Sequence, residues 1–161
     1  MDTCCTISIS DWISIAAIII NAVLAWWIVR TIQNKLTNKR VLKDHFICEV
    51  KELRLEYKAF LSNLYENKAI PSTVIPWFKL MNIKVNDLME LLHQTYKIDK
   101  EILLPYQNDL RELITENEDF INCFKLDKVD FSDTSRQKII QFQQKHNHLF
   151  NEVIILINNK D

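Results

Sequence analysis

Two small groups of side chains around residue 45 carry the residue types from which catalytic or metal sites are built. Arg40 and His45 stand in the arrangement Arg-x4-His, where histidine could act as acid or base and arginine could hold a phosphate. On one helix, five residues place the two side chains about 140° apart, so they would meet only across an interface between copies. An ordinary cation near a solvent-exposed histidine is the alternative, and no complete catalytic site is expected in one chain.

The second group, Asp44, His45, Cys48 and Glu49, offers metal-ligand types at the helical spacings i, i+3 and i+4. A second ligating segment would be needed, and none is marked in the sequence. We therefore predict no metal and no cofactor. The chain contains no glycine, which excludes glycine-built phosphate loops and dinucleotide-binding folds. Its four cysteines include no CxxC pair and are expected to be free thiols, with an intermolecular bridge through Cys4 or Cys5 as the alternative.

The chain is organised around an apolar stretch, Trp12–Val29, of eighteen residues without a formal charge. As a helix this stretch would be about 27 Å long, close to the hydrocarbon thickness of a bilayer. We predict three parts: an extracytoplasmic N-terminus at residues 1–11, a transmembrane helix at 12–29 and a cytoplasmic helical domain at 30–161. A cleaved signal peptide and a buried core helix of a soluble protein are the alternatives.

The two flanks of this stretch differ in charge. Residues 1–12 contain two acids and no Lys or Arg, whereas residues 30–43 contain five basic residues and no acid. The positive-inside bias therefore predicts an outer N-terminus and a cytoplasmic C-terminal part. We call the basic residues the basic collar: Arg30, Lys35, Lys39, Arg40 and Lys43. Aromatic residues suited to a membrane interface stand at both ends of the span: Trp12, Trp26 and Trp27.

One polar residue, Asn21, lies in the middle of the span, where an amide facing lipid is costly. Small or polar residues recur with it every three or four positions and form one stripe on a helix: Ser14, Ala17, Asn21 and Ala25. A chain with one span can satisfy this stripe only through other copies or another membrane protein. We predict self-association, and a single tolerated amide is the alternative.

The remainder of the chain predicts an all-α fold, in which the span continues into a cytoplasmic bundle of about four helices. The first has a three-four apolar seam that would suit a partner helix along its length: Leu42, Phe46, Val50, Leu53, Tyr57, Phe60 and Leu64. Pro71 and Pro76 are expected to bracket a loop, and a second helix to run from about Pro76 to Tyr96. Its inward residues would be Leu80, Met81, Val85, Leu88, Leu91 and Leu92.

Asp99 is the expected N-cap of a third helix, which Pro105 would kink or restart. The apolar face of that helix would be Leu103, Leu110, Leu113, Ile114, Ile121 and Phe124. The run KLDKVDFSD is expected to be a loop, with Ser132 or Asp133 capping the last helix. The seam of the last helix would be Ile139, Phe142, His146, Leu149, Val153 and Leu156, with His146 a hydrogen-bonded core residue.

A single N-terminal span, a basic collar, the Arg40–His45 motif beside it and a glycine-free helical domain together resemble one known family. This family is the small membrane accessory protein of type VI-B CRISPR loci, which carries a divergent HEPN-type Arg-x4-6-His motif. The resemblance implies an oligomeric pore in the bacterial inner membrane that strengthens antiviral defence beside an RNA-guided, RNA-cutting effector.

Three functions remain open at this stage. Copies could form a ring through the Leu42–Leu64 seam and the Asn21 stripe, with the spans lining a conduit that depolarises the membrane. The chain could instead be a passive membrane anchor that recruits a cytoplasmic partner, or a tethered HEPN-like ribonuclease that uses Arg40 and His45. The partners expected are membrane lipid, other copies of the chain and the effector nuclease. The net charge of −1 indicates no global attraction of the chain to RNA. Whether the basic collar binds RNA directly stays open.

Overall fold

The computed structural model describes residues 9–160, apart from the side chains of residues 34 and 35, and these residues are helical without any strand. Helix α1 spans Ile9–Ile28, and a π-helical turn, Val29–Gln33, leads into α2, Asn34–Tyr65. The later helices are α3 (Pro71–Tyr96), α4 (Leu104–Thr115), α5 (Glu118–Cys123), α6 (Asp133–His146) and α7 (His148–Asn159). The predicted all-α fold with a long N-terminal apolar helix is confirmed.

The chain divides into two compact units, Met1–Leu42 and Lys43–Asp161, with the boundary inside α2. In the first unit, no residue of α1 is buried. This helix is long and apolar enough to cross a membrane. Trp12, Trp26 and Trp27 are all exposed on it. The alternative of a buried core helix is thereby disfavoured.

The second unit is a helical bundle in which α2 lies antiparallel to both α3 and α7. Phe46 contacts Tyr96 at one end of the α2–α3 pair, and Phe60 stacks on Trp77 at 3.6 Å at the other end. Lys43 Nζ, at the start of the unit, donates to the carbonyl of Asn158 near the end of α7. The C-terminal end of α7 therefore lies beside the part of α2 where the second unit begins.

Two buried tyrosines join the helices at the centre of this bundle. The Tyr57 ring of α2 packs at 4.9 Å from the Tyr106 ring of α4 and at 5.9 Å from Phe150 of α7. Tyr106 in turn packs on Phe142 of α6 at 5.0 Å and on Phe150 at 4.9 Å. Three of these four pairs meet edge to face, and such pairs each contribute about 0.5–1.5 kcal/mol beyond the area they bury. This aromatic cluster fixes α4 against the three other helices.

The predicted seam of α2 is buried from Phe46 to Leu64, but against the chain's own helices. Leu42 is 40% exposed and belongs to the first unit. A buried seam has no surface left to offer another copy of the chain. The expectation that copies meet along Leu42–Leu64 was therefore wrong, because α3 and α7 already cover that face.

The second helix begins at Pro71, not at Pro76. Pro71 occupies the start of α3 after an extended Ile70, an arrangement that proline favours in the first turn. Pro76 lies within the helix, where it removes one backbone hydrogen bond without ending it. Of the predicted inward residues, Leu80 and Leu91 are each 51% exposed, and Met89 is buried instead.

The third and fourth predicted helices are each divided in two. Asp99 caps a turn through Glu101 N, and α4 begins at Leu104, so the predicted N-cap was wrong. After α4, Asn117 accepts a hydrogen bond from Asp119 N and starts α5, which leaves Ile121 and Phe124 exposed. The last helix breaks at Asn147, so Phe150 and Ile157 join Val153 in the core, whereas Leu149 and Leu156 are only partly buried.

Two residues other than glycine adopt the left-handed backbone conformation in turns that follow helices. Asn67, after α2, has a φ of 55°, and Lys97, after α3, has a φ of 57°. The Asn67 side chain donates to Asp130 Oδ1 at 2.5 Å and accepts from Phe131 N at 3.2 Å. The predicted polar loop is thus joined to the turn after α2, and its Val129 and Phe131 are buried. Ser132 caps α6, as expected.

Candidate functional site

The stripe of small and polar residues around Asn21, called the polar stripe from here on, consists of exposed residues in the middle of an apolar helix. Ser14, Ala17, Asn21 and Ala25 all lie exposed on α1. At about 100° per residue, the four lie within a sector of roughly 80°. The hydroxyl of Ser14 donates to the Ser10 carbonyl at 3.0 Å, so it needs no other partner. Among residues 9–160, none provides a hydrogen bond to the Asn21 amide.

The three tryptophans of α1 lie on the opposite side of the helix. Counting from Ser14 at about 100° per residue, Trp12, Trp26 and Trp27 fall roughly 120° to 220° away. The Arg30 guanidinium lies 5.1 Å from the centre of the Trp26 ring, in a cation–π contact. The helix therefore separates a narrow polar stripe from a broad apolar face with indoles at both ends.

The basic collar extends through the π-helical turn into α2. Arg30, Lys39 and Arg40 are exposed, and the Lys35 side chain lies outside the described part of the chain. Lys43 differs from these, because its ammonium group donates to the Asn158 carbonyl near the C-terminal end of α7. Lys43 thus has a structural contact in the bundle.

The Arg40–His45 pair lies on α2, with Arg40 in the first compact unit and His45 in the second. Within the described residues, no group of three or more His, Cys, Asp or Glu side chains could hold a metal. A hydrogen bond to Glu52 raises the pKa of the nearby Cys48 thiol, which disfavours the thiolate that a metal would need. The metal interpretation of Asp44, His45, Cys48 and Glu49 has no support in this arrangement.

His146 is a core residue, as the sequence predicted. It is 6% exposed, stacks on Phe142 and lies with Nε2 3.0 Å from Asp109 Oδ2. Burial lowers its pKa, and the Asp109 carboxylate opposes that shift. Its contacts are those of a packed, hydrogen-bonded side chain that joins α6 to α4.

A cavity that the sequence did not reveal lies between α3 and α4 in the second unit. We call it the basic pocket, and its volume is about 290 Å³. Its apolar wall is formed by Ile75 and Phe78 of α3, and the buried Tyr57 of α2 lies at the base of the pocket. Polar residues complete the lining: Lys79, Asn82, Gln107, Asn108, Arg111 and Thr115.

Hydrogen bonding at the base of the basic pocket involves two buried groups. Burial raises the pKa of the Tyr57 phenol to about 12, and a hydrogen bond with Gln107 opposes that shift. The phenol therefore stays neutral at physiological pH and can both donate and accept. Gln107 is 8% exposed, which is unusual for an amide and places it at the pocket's base. No local sequence pattern marks this pocket, because its residues come from three helices.

A second groove lies between α2 and α3 and has the opposite charge. It includes Glu49, Glu52, Glu56 and Asp87, and Lys84 crosses it to reach Glu56 at 2.7 Å. His45 stands at one end of this groove. The two faces of α3 thus border one acidic and one basic depression.

The chain matches no protein-family model, no curated protein and no solved structure. The resemblance to the type VI-B accessory proteins therefore stays a prediction.

Proposed function

We propose that this chain is a single-pass membrane protein that self-associates through the polar stripe of α1, so that its spans form a conduit. The observation that supports this most directly is the Asn21 amide, exposed near the middle of a 20-residue apolar helix and without a partner among the described residues. Hydrocarbon offers no hydrogen bonds, so an amide at that depth is stabilised by a second amide or by water.

The distribution of residues around α1 favours a packed face and a lipid face. Ala17 and Ala25 flank Asn21 and allow neighbouring helices to approach closely. The tryptophans lie on the other side, where indoles would meet the two membrane interfaces. Copies arranged in a ring would direct the stripe inward, so that Asn21 side chains lined a water-filled centre. Ser14, whose hydroxyl already bonds within its own helix, contributes small size more than hydrogen bonding.

The orientation in this proposal places the N-terminus outside and the helical bundle in the cytoplasm. It rests on the basic collar that follows the span and on the absence of Lys and Arg from residues 1–12. The location in a bacterial inner membrane and the accessory role in RNA-targeting antiviral defence rest on the family resemblance alone. Depolarisation of the membrane is the activity that such a conduit would have.

The experiment replaces Asn21 by Leu, with Ile20→Leu as the matched control outside the stripe. Interhelical hydrogen bonds in membranes contribute about 0.6–2 kcal/mol each, or roughly 3- to 30-fold per contact. We expect Asn21→Leu to lower the mass of the detergent-solubilised particle and to abolish dye-detected depolarisation, with expression unchanged. Ile20→Leu should keep both properties. A particle of unchanged mass that still depolarises cells would refute the proposal.

The second candidate is a membrane-tethered adaptor, and one observation favours it. Residues Lys43–Asp161 form a compact unit with its own core, and they need no second copy to cover the α2 seam. Exchanging Ile9–Ile28 for an unrelated monomeric span separates the two functions. An adaptor would keep its cellular activity after this exchange, whereas a conduit would lose it. A HEPN-like ribonuclease is the third possibility, and it requires Arg40 and His45 to meet across two copies.

A further inference from the structure

We propose that the basic pocket binds a phosphate monoester of mononucleotide size, with the phosphate at Lys79 and Arg111. This inference does not depend on the proposed conduit, because the pocket lies wholly within the second unit. Lys79 projects from α3 and Arg111 from α4, so a ligand between them would join the two helices. The volume of about 290 Å³ is at the small end of the range of ligand sites and limits the ligand to about this size.

The charges around the pocket are those of an anion site. Its nine lining residues include two cations and no carboxylate. Some lysines elsewhere on the bundle pair with carboxylates: Lys84 with Glu56, Lys100 with Glu90 and Lys145 with Asp109. Among the described residues, neither Lys79 nor Arg111 has an ion-pair partner. Two uncompensated cations beside one cavity favour a doubly charged group such as a phosphate, which arginine can bind with two parallel hydrogen bonds.

The interior of the pocket suits a flat ring with polar edges. Ile75 and Phe78 form an apolar wall, and the Phe78 side chain is only 8% exposed. At the base, the Gln107 amide has two donor and two acceptor positions, of which the Tyr57 phenol uses one. A heterocyclic base could stack against the wall and use the remaining positions. Asn82 and Asn108, which also line the pocket, are further groups that could hydrogen-bond a sugar.

The experiment measures binding of nucleoside monophosphates to the full chain in detergent micelles by equilibrium dialysis. Adenosine, guanosine, cytidine and uridine 5′-monophosphates are the probes, with the four uncharged nucleosides and inorganic phosphate for comparison. We expect at least one monophosphate to bind, with its nucleoside at least about tenfold weaker, as expected for losing hydrogen bonds to charged groups. If inorganic phosphate bound as tightly as every monophosphate, the proposed stacking of the base against the apolar wall would be overturned.

The variants identify the pocket as the site of binding. Lys79→Gln and Arg111→Gln should each weaken binding by about tenfold or more. Asn108→Asp adds a carboxylate without changing size and should weaken it at least as much. The matched controls, Lys58→Gln and Asn86→Asp, change exposed residues outside the pocket and should bind normally. A melt without ligand identifies any variant that fails to fold, and Asn108→Asp then carries the test. No binding to the wild-type chain, or equal binding to Asn108→Asp, would overturn the proposal.

Discussion

The left-handed residue that ends α3 permits a sharp test of the local energetics. Lys97 has φ 57° and ψ 35°, and its backbone N–H donates to the His93 carbonyl at 2.9 Å. A residue with a side chain loses about 1–2 kcal/mol in this conformation, which glycine adopts freely. Glycine also gives the unfolded chain more freedom, which offsets about 0.5–1 kcal/mol of the gain. Lys97→Gly should therefore increase the free energy of unfolding by about 0.5–1 kcal/mol.

The Lys97 side chain is exposed and has no hydrogen bond or ion pair among the described residues, so the substitution removes no contact. A far-UV circular dichroism melt of the full chain in mild detergent would measure a rise in Tm of about 2–5 °C. Lys58→Gly is the matched control, because Lys58 is an exposed residue inside α2. There the same substitution should lower stability by about 1 kcal/mol. A fall in Tm for Lys97→Gly like that for Lys58→Gly would refute the reasoning.

Two further predictions concern the bundle. Asn67→Ala should lower the free energy of unfolding by about 2–3 kcal/mol, because it loses the hydrogen bonds to Asp130 and Phe131 N as well as the left-handed preference of asparagine. Asn67→Gly keeps the left-handed backbone conformation and should lose less. Equal losses for the two variants in chemical denaturation would show that the backbone conformation contributes nothing. The second concerns pH: burial depresses the pKa of folded His146, so the unfolded chain binds the proton first as the pH falls. Stability should therefore decrease as the pH falls below about 6.5 and level off below the folded pKa. His146→Gln should flatten this dependence in melts between pH 7 and pH 5, and a dependence as steep as that of the wild-type chain would contradict this assignment.

The sequence predicted those features that depend on periodicity within one helix. The three-four pattern from Phe46 to Leu64 identified the buried face of α2, because a helix returns to the same side at those intervals. The same rule failed for Leu80 and Leu91 of α3, where apolar residues occupy more than one face and only tertiary packing decides which are covered. His146 was placed correctly, since it belongs to the periodic set of α6.

The helix breaks were not predicted, because several of the contacts that hold them join residues distant in sequence. Asn147 separates α6 from α7, and its side-chain oxygen Oδ1 accepts a hydrogen bond from Arg54 Nη2 at 2.6 Å. Asn117 begins α5, and a hydrogen-bond network joins Asn117 and Asp119 to Ser132 and Ser135 at the start of α6. These bonds lower the pKa of the Asp119 carboxyl, chiefly through Ser135. The basic pocket escaped prediction for the same reason, since helix pairing decides which side chains meet.

The antiparallel pairing of α2 with α7 sets how the bundle would respond to mechanical force. Lys43 and Asn158 are adjacent, and the Arg54 contacts with Asn151 and Asn147 follow further along the same pair. Tension between Lys43 and the C-terminus would load these bonds in succession, as in a zipper, and not all at once in shear. A pulled chain should therefore peel α7 away at low force, while the α2–α3 pair, with Phe60 stacked on Trp77 at its far end, stays folded longer.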